Sequence, residues 1–383
     1  MILSEEHRLI QETARSFVAD RVAPEAAAWD AEERFPAEAI KGLGELGLMG
    51  MLAHEVGDED GDGGGSGIGY LAFALVVEEI AAGDASLSTI LSVHNGVGTL
   101  PIQDHGSDVQ KARWLPRLTT GDALGGFALS EPQAGSDASN IRTKASRTQD
   151  GWVLNGTKAF ITSGSTADVL VVFARTGEGK GGLSAFVVPT DEPGFHVVSK
   201  ERKMGQRASD TCQIAFDDLH LPEDALLGEE GQGYSIALGN LEGGRIGIAA
   251  QSVGLARAAL EAATAYAKER EAFGAPISSH QAVAFRLADM ATEVEAARAL
   301  TLQAAVLKDS GAPALKLASM AKLFASEVAE RVCSAAVQIH GGYGYLADFA
   351  VERIYRDQRV CQIYEGTSDV QKMVISRAVL DGR

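Results

Sequence analysis

The spacing of apolar residues changes twice along this chain, and those two changes restrict the fold more than any single motif does. Up to about residue 120 the spacing is helical. Leu9, Ile10, Ala14, Phe17, Val18 and Val22 recur at three- and four-residue intervals. Ser4 is placed to cap that first helix, with Glu5 and Glu6 where the positive end of a helix favours acids. Further helical patterns cover about 37–46 and 70–82. From Gly121 to about Pro222 the runs become short and punctuated, and 124–129, 152–154, 159–162, 169–174, 183–188 and 212–216 read as strands. Asn155-Gly156 predicts a hairpin turn between two of them, because both turn positions need positive φ. From about Gln232 the pattern is helical again, with Leu317, Met320, Phe324, Val328 and Val332 on one face of a long helix. Segregated elements predict a mainly α chain with an inserted β domain rather than alternating β-α-β units. The expected division is 1–120 (helical), 121–225 (β) and 226–383 (helical).

A formal net charge of −18 opposes binding to nucleic acid or to anionic membranes. An anionic ligand therefore needs a site built locally from a few Arg, Lys and backbone N–H groups. No stretch is apolar over the roughly 18–20 residues that cross a bilayer. The acidic, polar start resembles neither a signal nor a transit peptide, so a cytoplasmic, bacterial-type protein is expected. Cys212, Cys333 and Cys361 lack C-x-x-C spacing and read as reduced thiols. The eight histidines have no metal-ligand spacing, and no metal is expected.

Several motifs fail on context. Residues 67–72 fit a relaxed G-x-G-x-x-A, but no strand leads into them. Asp58, Asp60, Asp62 and Gly63 match half a calcium loop, but Gly69 stands where its bidentate Glu belongs. A surface loop is the better reading of this acidic segment. There is no G-x-S-x-G and no H-E-x-x-H.

Four separated segments hold together: Phe127-Ala-Leu-Ser-Glu-Pro-Gln-Ala-Gly-Ser-Asp137, Lys158-Ala-Phe-Ile-Thr-Ser-Gly164, Gln338-Ile-His-Gly-Gly-Tyr-Gly344 and Ile363-Tyr-Glu-Gly-Thr-Ser368. In this order and spacing they resemble the acyl-CoA dehydrogenase family over essentially the whole chain. The resemblance implies an N-terminal helical domain, a middle β-barrel-like domain and a C-terminal four-helix bundle. FAD would lie between the β domain and the bundle and reach a neighbouring subunit of a homotetramer, a dimer of dimers.

Site roles follow from the same resemblance. Phe127 and Leu129 would pack near the flavin ring, Ser130 would donate to it, and Phe160 and Thr162 would cover its other side. Such donors stabilise negative charge that collects on the ring. Phe160 replaces the tryptophan frequent in the family. Ser136, in a Gly-Ser-Asp turn, would meet phosphate or the pantetheine arm. Arg270 and Phe273, with Gln281, Gln338, Gly341 and Gly342, would contact the cofactor of another subunit, and Thr367, Ser368 and Asp369 would also bind cofactor. Glu242, Arg245, Tyr364 and Gly366 would bind substrate, Arg245 near the adenine or phosphates of CoA.

The implied reaction is α,β-dehydrogenation of an acyl-CoA to the trans-2-enoyl-CoA. Glu365 would remove the α-proton while the β-hydride passes to the flavin, and electrons would leave to an electron-transfer flavoprotein. One family branch keeps its base just before the arginine of the substrate segment. Here that position is Gly244, so Glu365 is the candidate on either pattern. This favours a short-, medium- or short-branched-chain enzyme. A helix starting after Glu365 favours its ionised form, whereas an apolar acyl pocket favours the acid.

Overall fold

The computed structural model describes residues 3–54 and 65–382, which places the acidic loop expected at Asp58, Asp60, Asp62 and Gly63 outside the described residues. Seven α-helices come first: α1 (Glu5–Phe17), α2 (Ala26–Glu32), α3 (Ala37–Glu45), α4 (Gly69–Gly83), α5 (Ala85–Val93), α6 (Leu100–His105) and α7 (Asp108–Thr120). Eight strands follow: β1 (Gly125–Ala128), β2 (Lys144–Arg147), β3 (Gly151–Thr162), β4 (Val169–Arg175), β5 (Leu183–Pro189), β6 (Phe195–Lys200), β7 (Thr211–Pro222) and β8 (Leu226–Leu227). The rest comprises α8 (Gly233–Glu269), the two-residue strands β9 (Glu271–Ala272) and β10 (Ala275–Pro276), α9 (Gln281–Asp309), α10 (Leu315–His340), α11 (Ala350–Gln358) and α12 (Ser368–Leu380). The order helices, strands, helices is the one read from the sequence. Ser4 caps α1, its Oγ accepting from His7 N at 3.1 Å.

The helices of the two ends share one core. α4 is apolar on nearly every side, as a helix packed all round must be. Its Leu75 and Val76 join Ile246 and Val253 of α8 and Val328 of α10 in a single buried cluster. Two acids on α4, Glu78 and Glu79, are buried there because Arg298, Arg257 and Arg15 reach them from α9, α8 and α1.

The sheet runs β6-β7-β3-β2-β4-β5-β8, with β1 parallel to β4. β4 is buried on both faces. Val169, Val171 and Phe173 pack with Trp114 and Leu118 of α7, while Leu170, Val172 and Ala174 pack with Trp152 and Phe216. That double burial explains its unbroken apolar run.

Three local expectations are corrected. Asn155-Gly156 is no hairpin: both residues lie inside β3, which runs unbroken for 12 residues against β7. A register shift between Leu154 and Gly156 takes up the φ of +150° at Gly156, where a Cβ would come within 2.6 Å of Thr143. β2 and β6 were not anticipated. The buried face of α10 is Ala318, Ala321, Ala325, Val328 and Val332, whereas Phe324 is exposed.

β3 also carries the clamp that fixes the segment after β1. Lys158 is completely buried, and its Nζ donates to Leu129 O at 3.0 Å and Glu131 Oε1 at 2.9 Å. Glu131 further accepts from Arg142 N and Thr143 N. Burial would raise the Glu131 carboxyl, but the ammonium and these donors hold it down at about 2. Removing one partner strands the other charge in the interior. Lys158→Met should therefore lower unfolding stability by about 3–5 kcal/mol, and adding Glu131→Gln should restore part of it; denaturant unfolding of the single and double variants measures both.

Candidate active site

Helix α12 begins on a tight turn that aims Glu365 inward. Thr367 is its N-cap, with Oγ1 accepting from Val370 N at 3.3 Å. The two preceding residues are both left-handed, Glu365 at φ +52° and Gly366 at φ +87°. The first is uncommon for a residue with a side chain and marks a constrained position. Their carbonyls are held from below: Gln371 Nε2 donates to Glu365 O at 3.0 Å and Gly366 O at 2.9 Å, and Lys322 Nζ of α10 donates to Gly366 O at 2.7 Å.

The Glu365 carboxylate lies against α8. A Cβ on Gly244 would fall 2.7 Å from Oε2, so the missing side chain there is what admits the carboxylate. Oε2 is buried with no hydrogen-bond partner among the described residues, and Glu365 lines the cavities beside it, as a group aimed at a ligand would. Burial pushes Glu365 up to about 7, against the pull of Arg245 and then Lys322. Of the two opposing effects read from the sequence, desolvation prevails.

Two cavities meet at this residue. One of about 220 Å³ lies between α5, α8 and the segment after β1, lined by Ser92, Val97, Phe127, Leu129, Leu241 and Ile248. The other, about 660 Å³, is lined by Thr89, Met204, Gln206, Ile363 and Thr367. Ser130, Ser136, Phe160, Thr162, Tyr364, Glu365 and Gly366 line both. Phe160 is 68 % exposed and left-handed at φ +60°, so its ring stands off the sheet at the junction. Phe127 leans on Phe173, with ring centroids 4.8 Å apart.

Other expected site residues fall elsewhere. Arg270, Gly341 and Gly342 meet at a separate cavity of about 400 Å³ with Tyr266, His340 and Tyr343. Phe273 is 98 % exposed, and Gln281 and Gln338 are exposed too. Ser368 is partly buried, with an unpartnered Oγ, and Asp369 is exposed on the first turn of α12. Glu242 is paired with Lys308 at 2.9 Å and lines neither Glu365 cavity. Arg245 does line the smaller one, but it is only 6 % exposed, with Nη1 on Ser319 Oγ at 3.3 Å. It is a buried cation facing Glu365. The Tyr364 hydroxyl is spent on Gln251 and Gln206, leaving its ring for the cavity.

Sequence reasoning missed Lys322, Gln371 and the Thr89–Gln206–Gln251 group. Lys322 was visible in principle as a charge in register with Ala318, Ala325 and Ala329, and a buried polar group among apolar neighbours is the informative case.

Comparisons with known proteins identify the family. The descriptions "Acyl-CoA dehydrogenase, N-terminal domain", "middle domain" and "C-terminal domain" match residues 4–122, 126–219 and 231–380. The chain is 46 % identical over 384 residues to an acyl-CoA dehydrogenase of Bacillus subtilis, covering 100 % of both. It is 47 % identical over 380 residues to the mitochondrial short-chain specific acyl-CoA dehydrogenase of Bos taurus, covering 99 % of this chain and 91 % of that one. Butyryl-CoA dehydrogenase from Megasphaera elsdenii superposes with a TM-score of 0.95 at 41 % identity, covering 99 % of each chain. This chain belongs to the acyl-CoA dehydrogenase family and is an oxidoreductase. Among the described residues, no helix is long and apolar enough to cross a membrane.

The contact at position 244 is directly testable. In Gly244→Ala the new methyl meets only the far end of a flexible side chain, so unfolding stability should change by less than about 1.5 kcal/mol. The displaced carboxylate should cost turnover about a hundredfold. Denaturant unfolding and steady-state rates on the same preparation check both.

Proposed function

We propose that the chain catalyses FAD-dependent α,β-dehydrogenation of a short-chain acyl-CoA thioester, with Glu365 as the base that removes the α-proton. The observation that carries this reading is the unpartnered Glu365 Oε2 at the junction of two cavities. A general base must be within reach of its proton and able to ionise near working pH. A carboxyl at about 7 meets the second condition.

The larger cavity suits a flavin. Its volume lies within the range of roughly 300–1,000 Å³ usual for such sites. Phe160 and Ile363 offer apolar walls, and the hydroxyls of Ser130 and Thr162 offer donors at one edge. FAD, when bound, supplies the acceptor for the hydride leaving the β-carbon. The chain's own residues do the rest. Leu129, Leu241 and Ile248 keep the acyl chain dry, and Ser136 stands where the pantetheine arm would enter. The Glu365 backbone N–H makes no hydrogen bond among the described residues and is free to polarise the thioester carbonyl, which acidifies the α-proton.

The small volume of the Glu365 cavity and the short-chain relatives both support a short acyl group. Arg270, Phe273, Gln281, Gln338, Gly341 and Gly342 are read as cofactor contacts offered to a neighbouring copy. The almost fully exposed Phe273 supports a contact with another copy at this point, and a homotetramer, a dimer of dimers, is part of the same reading. An electron-transfer flavoprotein as acceptor, a cytoplasmic location and division of the chain near 120 and 225 complete the reading.

The purified protein should be yellow and should bleach anaerobically with butanoyl-CoA. Glu365→Gln should keep its FAD and fail to bleach; near-normal bleaching would sink the assignment. Because burial raises Glu365, the ionised base is lost as pH falls. Turnover should therefore rise with pH along a limb centred near 7, read from a pH–rate profile.

A further inference from the structure

Lys322 is a buried cation that the reaction as derived does not use. None of it is exposed, and its Nζ bond to Gly366 O combines with the two bonds from Gln371, itself fully buried. Together these three bonds fasten two consecutive left-handed residues. A left-handed Glu persists only where its surroundings over-determine it. A neutral donor is enough to hold a carbonyl, as Gln371 demonstrates. An ammonium at the same carbonyl costs more desolvation than a neutral donor, and nearby negative charge helps to offset that.

We infer that Lys322 is a positioning residue for Glu365: it clamps the Glu365–Gly366 turn through the Gly366 carbonyl and places a fixed positive charge beneath the carboxylate. This rests on reading Glu365 as the base. The groups facing Lys322 are Cys361 from the turn after α11, Glu365, and Arg245 from α8. Those facing Glu365 are Arg245 and Lys322. Burial pulls Lys322 down to about 8, with Glu365 opposing that pull and Arg245 adding to it, so it is still a cation at neutral pH; the Cys361 thiol, pushed up by its own burial, is uncharged there. Without it, Arg245 alone opposes the desolvation of Glu365.

The test uses FAD-loaded enzyme with butanoyl-CoA and a dye acceptor, and records kcat and KM between about pH 5.5 and 9. Flavin content and thermal unfolding are measured alongside. In Lys322→Met the limb near pH 7 should move up by about one unit, with kcat at neutral pH about tenfold lower and KM little changed. Gln371→Leu, which loosens the same turn without removing charge, should lower kcat and leave the limb in place. Exchange of the α-hydrogens of acetyl-CoA in D₂O reports proton removal alone, because acetyl-CoA has no β-carbon. It should slow in Lys322→Met with the same pH dependence. A folded, FAD-loaded Lys322→Met whose limb stays put overturns the inference. If that variant does not fold, Lys322→Arg decides: an unmoved limb supports the fixed charge, and a limb shifted upward overturns it. Failure of the underlying reading looks different, because wild type and Glu365→Gln would then behave alike.

Discussion

A carboxylate can be kept beside an apolar cavity only if something compensates for its lost water, and here that compensation is deliberately incomplete. Arg245 and Lys322 stand near Glu365, yet neither hydrogen-bonds to it, and Oε2 has no partner among the described residues. A full ion pair would hold the group ionised and weakly basic; no cation at all would leave it a neutral acid. The arrangement needs three helices at once: α8 supplies Arg245 and the gap at Gly244, α10 supplies Lys322 and Ser319, and α12 supplies the turn and Gln371. The long, alanine-rich packing of α8 against α10 serves to hold these groups in register.

The residues around this carboxylate come from distant parts of the chain. The segment after β1 is tied to β3 by the Lys158–Glu131 pair, which sets Leu129 and Ser130 at the cavity edge. The loop before β7 delivers Gln206, held by the carboxylate of Asp357 from α11. The helices before the sheet complete the wall through Ser92 and Val97.

Much of this was legible in the sequence, and what was not has physical reasons. The change of apolar period gave the order of elements, because burial on one face imprints its repeat on the chain. Glu365 was singled out twice, through its motif and through Gly244, which leaves no rival carboxylate at the other candidate position; that the same glycine makes room for Glu365 appears only in the structure. Asn155-Gly156 misled because turn propensity is local, whereas pairing of β3 with β7 along its whole length is not. The face of α10 misled because Leu317, Met320 and Phe324, large and apolar, are not the buried ones there; close packing against α8 selects alanine. Arg245 was singled out through its segment, but that it is buried and faces Glu365 is a fact of packing that the segment does not record. Lys322 and Gln371 act on backbone carbonyls, which no side-chain motif records.

The hydrogen-bonded group behind Tyr364 has a consequence for how the molecule opens. Thr89 belongs to the first helical segment, Gln206 to the sheet region, and Gln251 and Tyr364 to the last segment, and all four are joined by direct bonds. No one of the three segments can detach without breaking this cluster and dismantling the wall of the larger cavity. Opening of any of the three segments at this cluster therefore opens the site as well. Any molecule filling that cavity then stabilises all three segments together rather than the loops it touches.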